Sequence, residues 1–390
     1  MAYFDNAATT FPKPQIVYDF MDSFYREHGG NAGRGNHAFS MTAGKLISDT
    51  RTRLQQILQC QSKQIVFTSS ATIALNMILQ GLINDGKIKT VYISPFEHNA
   101  VTRVLYHFEL VGTICVKILP VLQDFSYDFE EIKKLFDRQK PDLLVISHAS
   151  NVIGLVSPVQ DFCLLAKKYD AVTVVDMAQT AGLVNLNVGL ETIDFVIFAG
   201  HKTLYGPTGI SGFAMKSDFD LQPVLFGGTG FESANQDMPL DIPQRYEMGT
   251  LNIAGIAGLY AATGWILEIG IEELWQKEQS NRKQLLEIIQ KYNFVRILGK
   301  CNEMSSSDIT RQPFVGIVSC IIEGLPSDTA ASIFAEQNIA VRSGLQCAPL
   351  AHKTLGTFPA GTIRFSTSYF TNEADFAELE NTMKFVEENL

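Results

Sequence analysis

No two cysteines in the 390-residue chain form a CxxC pair; the six (Cys60, Cys115, Cys163, Cys301, Cys320 and Cys347) are scattered. Isolated cysteines in a chain this long read as reduced thiols of a cytosolic protein, not as a disulfide framework. The motifs GxxxxGK[ST], GxGxxG, HExxH and GxSxG are missing, which removes the common P-loop, dinucleotide, zinc-protease and hydrolase readings. The seven histidines show no ligand spacing, so no metal site is expected. Basic residues are in deficit, 31 Lys and Arg against 41 Asp and Glu for a net charge of −10. With no basic stripe either, nucleic acid and anionic membrane surfaces are poor candidate partners. The chain lacks internal repeats and low-complexity tracts. Its opening, Met1-Ala-Tyr-Phe-Asp-Asn, lacks the basic-then-apolar pattern of a secretory signal. Met248 to Leu267 carries no charge and is nominally long enough to span a bilayer. Its glycines, Asn252 and two threonines argue instead for a helix buried in a core or a subunit interface. A soluble, cytoplasmic protein is expected.

What is present is apolar material: 46% hydrophobic against 18% charged residues, enough for a sizeable core. At roughly 150 residues per domain the length suggests about two domains. From about Gln64 to Met215, short β-branched runs alternate with helical patterns. The expected strands are Ile65–Thr68, Val91–Ser94, Ile114–Leu119, Leu143–Ser147, Val172–Val175, Phe195–Ala199 and Ser211–Ala214. Runs this short and apolar suit strands covered on both faces, as in a parallel sheet. Between them the pattern predicts helices over Ala71–Leu82, Phe129–Arg138 and Pro158–Tyr169. Ser157 is placed to cap the last of these, with Gln160 as its capping-box partner. Strand–helix alternation of this kind predicts an α/β doubly wound domain with its ligands at the carboxyl ends of the strands. Beyond the glycine-rich loop Gly227–Gly230 the pattern changes. A long helix is expected from about Ile266, then strands Gly316–Ile322 and Ile339–Arg342 and a helix Asp328–Glu336, giving a smaller α+β unit. The charged stretch Glu130–Lys140 reads as the solvated face of a helix.

The chemistry-bearing residues fall just after successive expected strands. In Phe198-Ala-Gly-His-Lys202, a lysine follows a buried apolar strand and precedes a glycine-rich turn. Burial lowers an amine pKa, and a partly neutral amine can form a Schiff base. In Val174-Val-Asp-Met-Ala-Gln179, Asp176 ends a buried strand, a costly position unless it meets a positive partner. A protonated pyridine nitrogen is such a partner, although a plain helix N-cap explains an aspartate equally well. Thr68-Ser-Ser-Ala-Thr-Ile-Ala-Leu-Asn76 runs from strand to helix through small hydroxyl residues, which suits a phosphate or simple capping. Glu97-His98-Asn99 and Ser147-His-Ala-Ser-Asn151 complete the set.

Together with Tyr205-Gly-Pro-Thr-Gly209, Glu247-Met-Gly-Thr-Leu-Asn252 and the opening Tyr3-Phe-Asp-Asn-Ala-Ala-Thr-Thr10, these segments resemble the class V (fold type I) aminotransferase superfamily of pyridoxal-phosphate enzymes. Within it they are similar to the cysteine desulfurases, and the resemblance covers nearly the whole chain. It implies a mostly parallel seven-stranded sheet in a large cofactor-binding domain, residues 15–260. A small domain of residues 1–14 with 261–390 would carry the cysteine loop, and the protein would be a homodimer. By the same resemblance Lys202 holds pyridoxal 5'-phosphate, His98 stacks on its ring, Asp176 pairs with the ring nitrogen and Gln179 contacts the ring hydroxyl. Ala71, Thr72 and His201 would hold the phosphate, with Thr250 reaching it from the partner subunit. Asn151 and Arg364 would position the substrate carboxylate. Arg342-Ser-Gly-Leu-Gln-Cys347-Ala resembles the RxGxxCA motif that carries the persulfide-forming cysteine in the SufS-like group. Cys347 is therefore the expected nucleophile, with Arg342 beside it and His98 moving protons. The implied reaction turns L-cysteine into L-alanine and passes the sulfur through a Cys347 persulfide to an acceptor protein, as in iron–sulfur cluster assembly or thionucleoside synthesis.

Two departures from the SufS-like pattern stand out. Ala199 occupies a place where many relatives carry a phosphate-binding serine, and Leu345-Gln346 precede the cysteine where a histidine is frequent. Rival readings are a selenocysteine lyase, another class V enzyme (aminotransferase or epimerase) with Cys347 incidental, and an inactive scaffold for a sulfur carrier.

Overall fold

A computed structural model describes residues 1–32, 35, 37–299 and 313–390; Cys301 lies outside the described residues. The chain opens with β1 (Ala2–Tyr3), α1 (Gln15–His28) and α2 (Ala38–Ile57). The alternating region follows: β2 (Lys63–Thr68), α3 (Ala71–Asn84), β3 (Thr90–Ile93), α4 (Asn99–Leu110), β4 (Cys115–Ile118), α5 (Phe129–Arg138), β5 (Leu143–Ser147), α6 (Val159–Lys167), β6 (Val172–Asp176), β7 (Phe195–Ala199) and β8 (Ser211–Lys216). Then come α7 (Ile253–Ile269), α8 (Ile271–Ile289), β9 (Val295–Ile297), β10 (Ile317–Ile322), α9 (Ser327–Glu336), β11 (Ile339–Ala340), α10 (Pro349–Thr354), β12 (Ile363–Ser366) and α11 (Glu373–Asn389).

Strands β2 to β8 form one seven-stranded sheet in the order β2-β8-β7-β6-β5-β3-β4. They are apolar throughout because their alternate residues feed two cores. Ile65, Phe67, Tyr92, Leu144, Ile146, Val175, Val196 and Phe198 pack on one face with α2 and α7. Val66, Val91, Ile93, Val145, Val174 and Ile197 pack on the other with α3 and α4. The expected strands are all present, Leu143–Ser147 and Phe195–Ala199 with the expected ends and the others with ends shifted by one or two residues. One expected as part of a parallel set is reversed: β8 is antiparallel to both neighbours. Burial on both faces gives a strand the same composition whichever way it runs, so its direction left no mark in the sequence. The other six strands all run the same way, and their carboxyl ends line one edge of the sheet.

A second sheet, β12-β10-β9, and the pair β1-β11 share a separate core with α8 and α11 through Phe4, Leu285, Val318, Phe334, Phe365 and Leu379. The single long helix expected from Ile266 is two helices, α7 and α8, meeting at 84° across Gly270, whose φ of 89° stops the first. The uncharged Met248–Leu267 stretch contributes most of α7, which is largely buried. Among the described residues no single helix is long and apolar enough to cross a membrane. Ser157 does not cap α6, which begins after Pro158 without a side-chain cap. The Ser157 hydroxyl instead donates to the Ser147 carbonyl (2.9 Å) and meets the Tyr127 hydroxyl (3.1 Å). The strand expected over Ile339–Arg342 stops at Ala340, although Arg342 still exchanges both backbone hydrogen bonds with Arg364.

Candidate active site

The carboxyl edge of the large sheet carries a cavity of about 210 Å³. Lys202, His201 and Ala199 reach it from the end of β7, Asp176 and Gln179 from β6, Asn151 from β5 and His98 from β3. Ala71 and Thr72, the first residues of α3, close it from beyond β2. The Ser70 hydroxyl caps this helix by accepting from the Ile73 N–H. That leaves the N–H groups of the first turn toward the cavity, a favourable end for an anion.

The charges in this cavity are shaped by burial. Lys202 loses water on entering it, which brings its ammonium down to about 8, a fall that Asp176 opposes. Desolvation likewise raises the Asp176 carboxyl above its ordinary value, against the pull of the Ala178 N–H and of Lys202. Asp176 Oδ1 accepts from Ala178 N–H at 2.8 Å, and its other oxygen takes no hydrogen bond among the described residues. A buried carboxylate in this state is stabilised by any cation brought against it. His98 Nδ1 accepts the Ala100 N–H at 3.0 Å and so caps α4. Burial and the nearby Lys202 and Arg364 bring its pKa to about 4. His98 is therefore a neutral imidazole with its proton on Nε2. Among the described residues the His201 ring nitrogen Nδ1 is buried without a partner.

Arg364, 2% exposed, is fixed by Nη1 to the Asn151 carbonyl (2.9 Å) and by Nη2 to Asp5 (2.8 Å). Among the described residues its Nε is buried and unpartnered, a donor left for a ligand. Asp5 also faces Arg342 at 3.8 Å. The Asn151 amide is not free: it donates to the Gln346 carbonyl at 2.7 Å.

Cys347 does not line the cavity itself. It is exposed and borders a neighbouring groove of about 550 Å³ that shares Thr72 and His98 with the cavity. It also borders a groove of about 830 Å³ with Arg103, Arg342 and Lys353. The thiol is thus common to both grooves, one of which reaches His98. Thr250 lies apart, in a groove with Gly228, Gly230 and Arg51. Of the other described cysteines, burial pushes Cys60, Cys163 and Cys320 up to about 12, and the half-buried Cys115 opens β4, away from the cavity lining.

Several residues escaped the sequence reading. Asp5 joins the two arginines. Thr9, Thr10 and Lys13 bind the backbone of the reactive lysine's turn: Thr9 Oγ1, Thr10 N and Lys13 Nζ all donate to the His201 carbonyl, and Thr10 Oγ1 donates to that of Lys202 (2.9 Å). Glu97 is a buried carboxylate holding Ser94 and both donors of Ser147. All but Lys13 lie in segments already notable for their motifs. Their individual roles depend on contacts between segments, 50 residues apart for Glu97 and Ser147 and 359 for Asp5 and Arg364, which spacing does not reveal.

Residues 2–379 match the family described as Aminotransferase class-V. The chain belongs to that family. Class-V members depend on pyridoxal phosphate. The cavity's donors fit the group: helix N–H groups and an unpartnered His201 nitrogen for the phosphate, Asp176 for a ring nitrogen, Lys202 for the aldehyde. A probable cysteine desulfurase of Xylella fastidiosa is 31% identical over 362 residues, spanning 89% of this chain and 82% of its own. One from Halalkalibacterium halodurans is 28% identical, spanning 100% and 93%. Among solved class-V structures, the apo cysteine desulfurase of Thermococcus onnurineus superposes with a TM-score of 0.89 at 28% identity, covering 100% of this chain and 95% of that one. The cysteine desulfurase CsdA of Escherichia coli gives 0.84 at 25% identity, covering 100% and 95%.

Proposed function

We propose that the protein is a pyridoxal-phosphate-dependent cysteine desulfurase that converts L-cysteine to L-alanine and leaves a persulfide on Cys347. The observation that carries this reading is the exposed Cys347 standing on a groove that shares His98 and Thr72 with the Lys202 cavity. An aminotransferase or epimerase has no use for a thiol there, and a scaffold has none for a buried amine. Lys202 would hold the cofactor covalently, with Ala71, Thr72 and His201 on its phosphate, Asp176 on its ring nitrogen, Gln179 on its ring hydroxyl and His98 over the ring. When bound, the cofactor supplies an electron-withdrawing ring that acidifies the α-hydrogen of an attached amino acid.

The chain's own residues do the rest. Arg364 Nε and Asn151 orient the substrate carboxylate, with Arg342 at the mouth. Lys202 Nζ, easily deprotonated near neutral pH, takes the proton from Cα. Cys347 Sγ attacks the substrate sulfur. A sulfur–sulfur bond forms, the carbon–sulfur bond breaks, and the electron pair stays with the carbon fragment that becomes alanine after protonation. His98, neutral with its proton on Nε2, relays protons around the sulfur: the proton that the Cys347 thiol gives up ends on the carbon the sulfur leaves, and the substrate thiol's proton stays with the persulfide. The persulfide then passes to a protein thiol. Supporting a homodimer is the position of Thr250: outside its own chain's cavity, it would complete a partner's phosphate site.

Intact-mass analysis of the pyridoxal-phosphate-loaded protein after brief exposure to L-cysteine tests the reading. One added sulfur atom, mapped to Cys347 and matched by released alanine, is expected. Cys347→Ser should abolish both while still changing the cofactor spectrum with L-cysteine. Alanine without an adduct, or with the adduct unaffected by Cys347→Ser, would sink the proposal.

A further inference from the structure

The loop that presents Cys347 is held in a backbone conformation its residues do not favour. Gln346 and Cys347 have φ of 40° and 57°, two successive residues in the left-handed region, where Cβ crowds the backbone. Non-glycine residues persist there when their surroundings over-determine them, and here the surroundings centre on Gln346. Its side chain points inward and is buried, with Nε2 donating to the Thr362 carbonyl at 3.0 Å. That fixes Oε1 as an acceptor, and it receives His352 Nε2–H at 2.8 Å and the Thr362 hydroxyl at 3.3 Å. His352 is fully buried, and its Nδ1 meets the Thr357 hydroxyl at 2.7 Å. The peptide groups on either side of Cys347 are pinned as well. The Gln346 carbonyl accepts from the Asn151 amide, and the Cys347 carbonyl accepts the Asn99 N–H at 2.7 Å. Both anchors belong to the site: Asn151 lines the cavity and Asn99 follows His98.

We infer that Gln346, backed by His352, is a positioning residue that turns the Cys347 thiol out onto the groove shared with His98 and ties that pose to Asn151. With Gln346 drawn inward by its hydrogen bonds to Thr362 and His352, the next side chain faces outward. Methionine at this position has nearly the same length and no hydrogen bonds. Glutamate would set its second oxygen against the Thr362 carbonyl.

The consequence for turnover rests on the desulfurase reading, whereas the backbone consequence does not. The test uses the loaded protein and the Gln346→Met variant. Hydrogen exchange should show lost protection in the peptides holding residues 343–349 and Asn99, with the rest of the chain unchanged. In single turnover with L-cysteine, persulfide formation on Cys347 should slow by roughly a hundredfold, the effect of about an ångström of misplacement. The earlier change in cofactor spectrum, which reads substrate capture, should move less than about threefold by comparison. Thr362→Val, which removes one donor and keeps the shape, should give a smaller effect of the same pattern and stands in if Gln346→Met does not fold. Unchanged loop protection overturns the inference, as does an equal slowing of capture and persulfide formation. Absence of any persulfide in the unsubstituted protein would defeat the desulfurase reading, and the exchange measurement would still decide the role of Gln346.

Discussion

In the proposed reaction Lys202 and Cys347 need different surroundings, and the chain supplies them within one neighbourhood. An amine reacts as a nucleophile when uncharged, so burial helps it; a thiol that must meet a second protein has to be reachable. With the Lys202 ammonium brought to about 8, the neutral fraction rises as pH climbs through that value and levels above it. The rate at which apoprotein captures pyridoxal phosphate covalently should therefore rise from pH 6 to about 8 and flatten beyond. A rate still climbing steeply past pH 9.5, where an ordinary lysine titrates, would show the amine to be unperturbed. The thiols sort the same way. A small alkylating agent on the native protein should label Cys347 well before Cys60, Cys163 or Cys320, whose thiols burial holds at about 12. Peptide mapping of a time course checks this, and early labelling of any of those three would contradict it.

Among the elements, β8 shows both what the sequence reveals and what it hides. Its existence and start were legible from apolarity and flanking turn residues, though not its last two residues, and so was the placement of the cavity's polar residues after β2, β3, β5, β6 and β7. The reversed direction of β8 was not legible, nor was the break between α7 and α8. The Gln346 and His352 contacts were hidden as well, because Asn151 and Gln346 are 195 residues apart in sequence. What β8 does demand is a glycine. A Cβ on Gly212 would collide with the Val66 carbonyl and come within 2.6 Å of the Phe198 ring. Both obstacles belong to neighbouring strands of the sheet. Gly212→Ala should cost about 3 kcal/mol, the upper end for overpacking, read as a lowered denaturation midpoint. A change under about 0.5 kcal/mol, the level of a neutral surface substitution, would mean that the strands part easily.

Across the whole molecule, buried carboxyls give stability a pH dependence of definite sign. Glu278 sits between α8 and the β10 edge, accepting the Gly316 N–H at 2.7 Å, and burial raises its pKa from 4.5 to about 7. Glu97 is raised to about 7 by the same cause. The folded state holds these protons between pH 4.5 and 7 while the unfolded chain releases them. The contribution of these two carboxyls to stability is therefore greatest below that window and falls as pH rises through it, by on the order of 3 kcal/mol for one such group. The histidines His98, His148, His201 and His352, lowered by burial to about 4, act in the opposite sense. Glu278→Gln keeps the accepting oxygen and removes the titration. Relative to the unsubstituted apoprotein, its thermal midpoint should fall less, or rise more, from pH 5 to 8. Identical slopes would mean that Glu278 is already ionised at pH 5.

The first and last parts of the chain meet at the site. Asp5 grips Arg364 across 359 positions, and Thr9, Thr10 and Lys13 clasp the turn that ends in Lys202. On the ribosome, residues 5–13 emerge long before Lys202 and Arg364 and must wait for both before their partners exist. The large sheet and the cavity lining, all of it within residues 70–202, can form meanwhile, but the Asp5–Arg364 pair cannot. A message cut short before residue 364 would yield a chain with the lysine proposed to hold the cofactor and no arginine to greet a substrate.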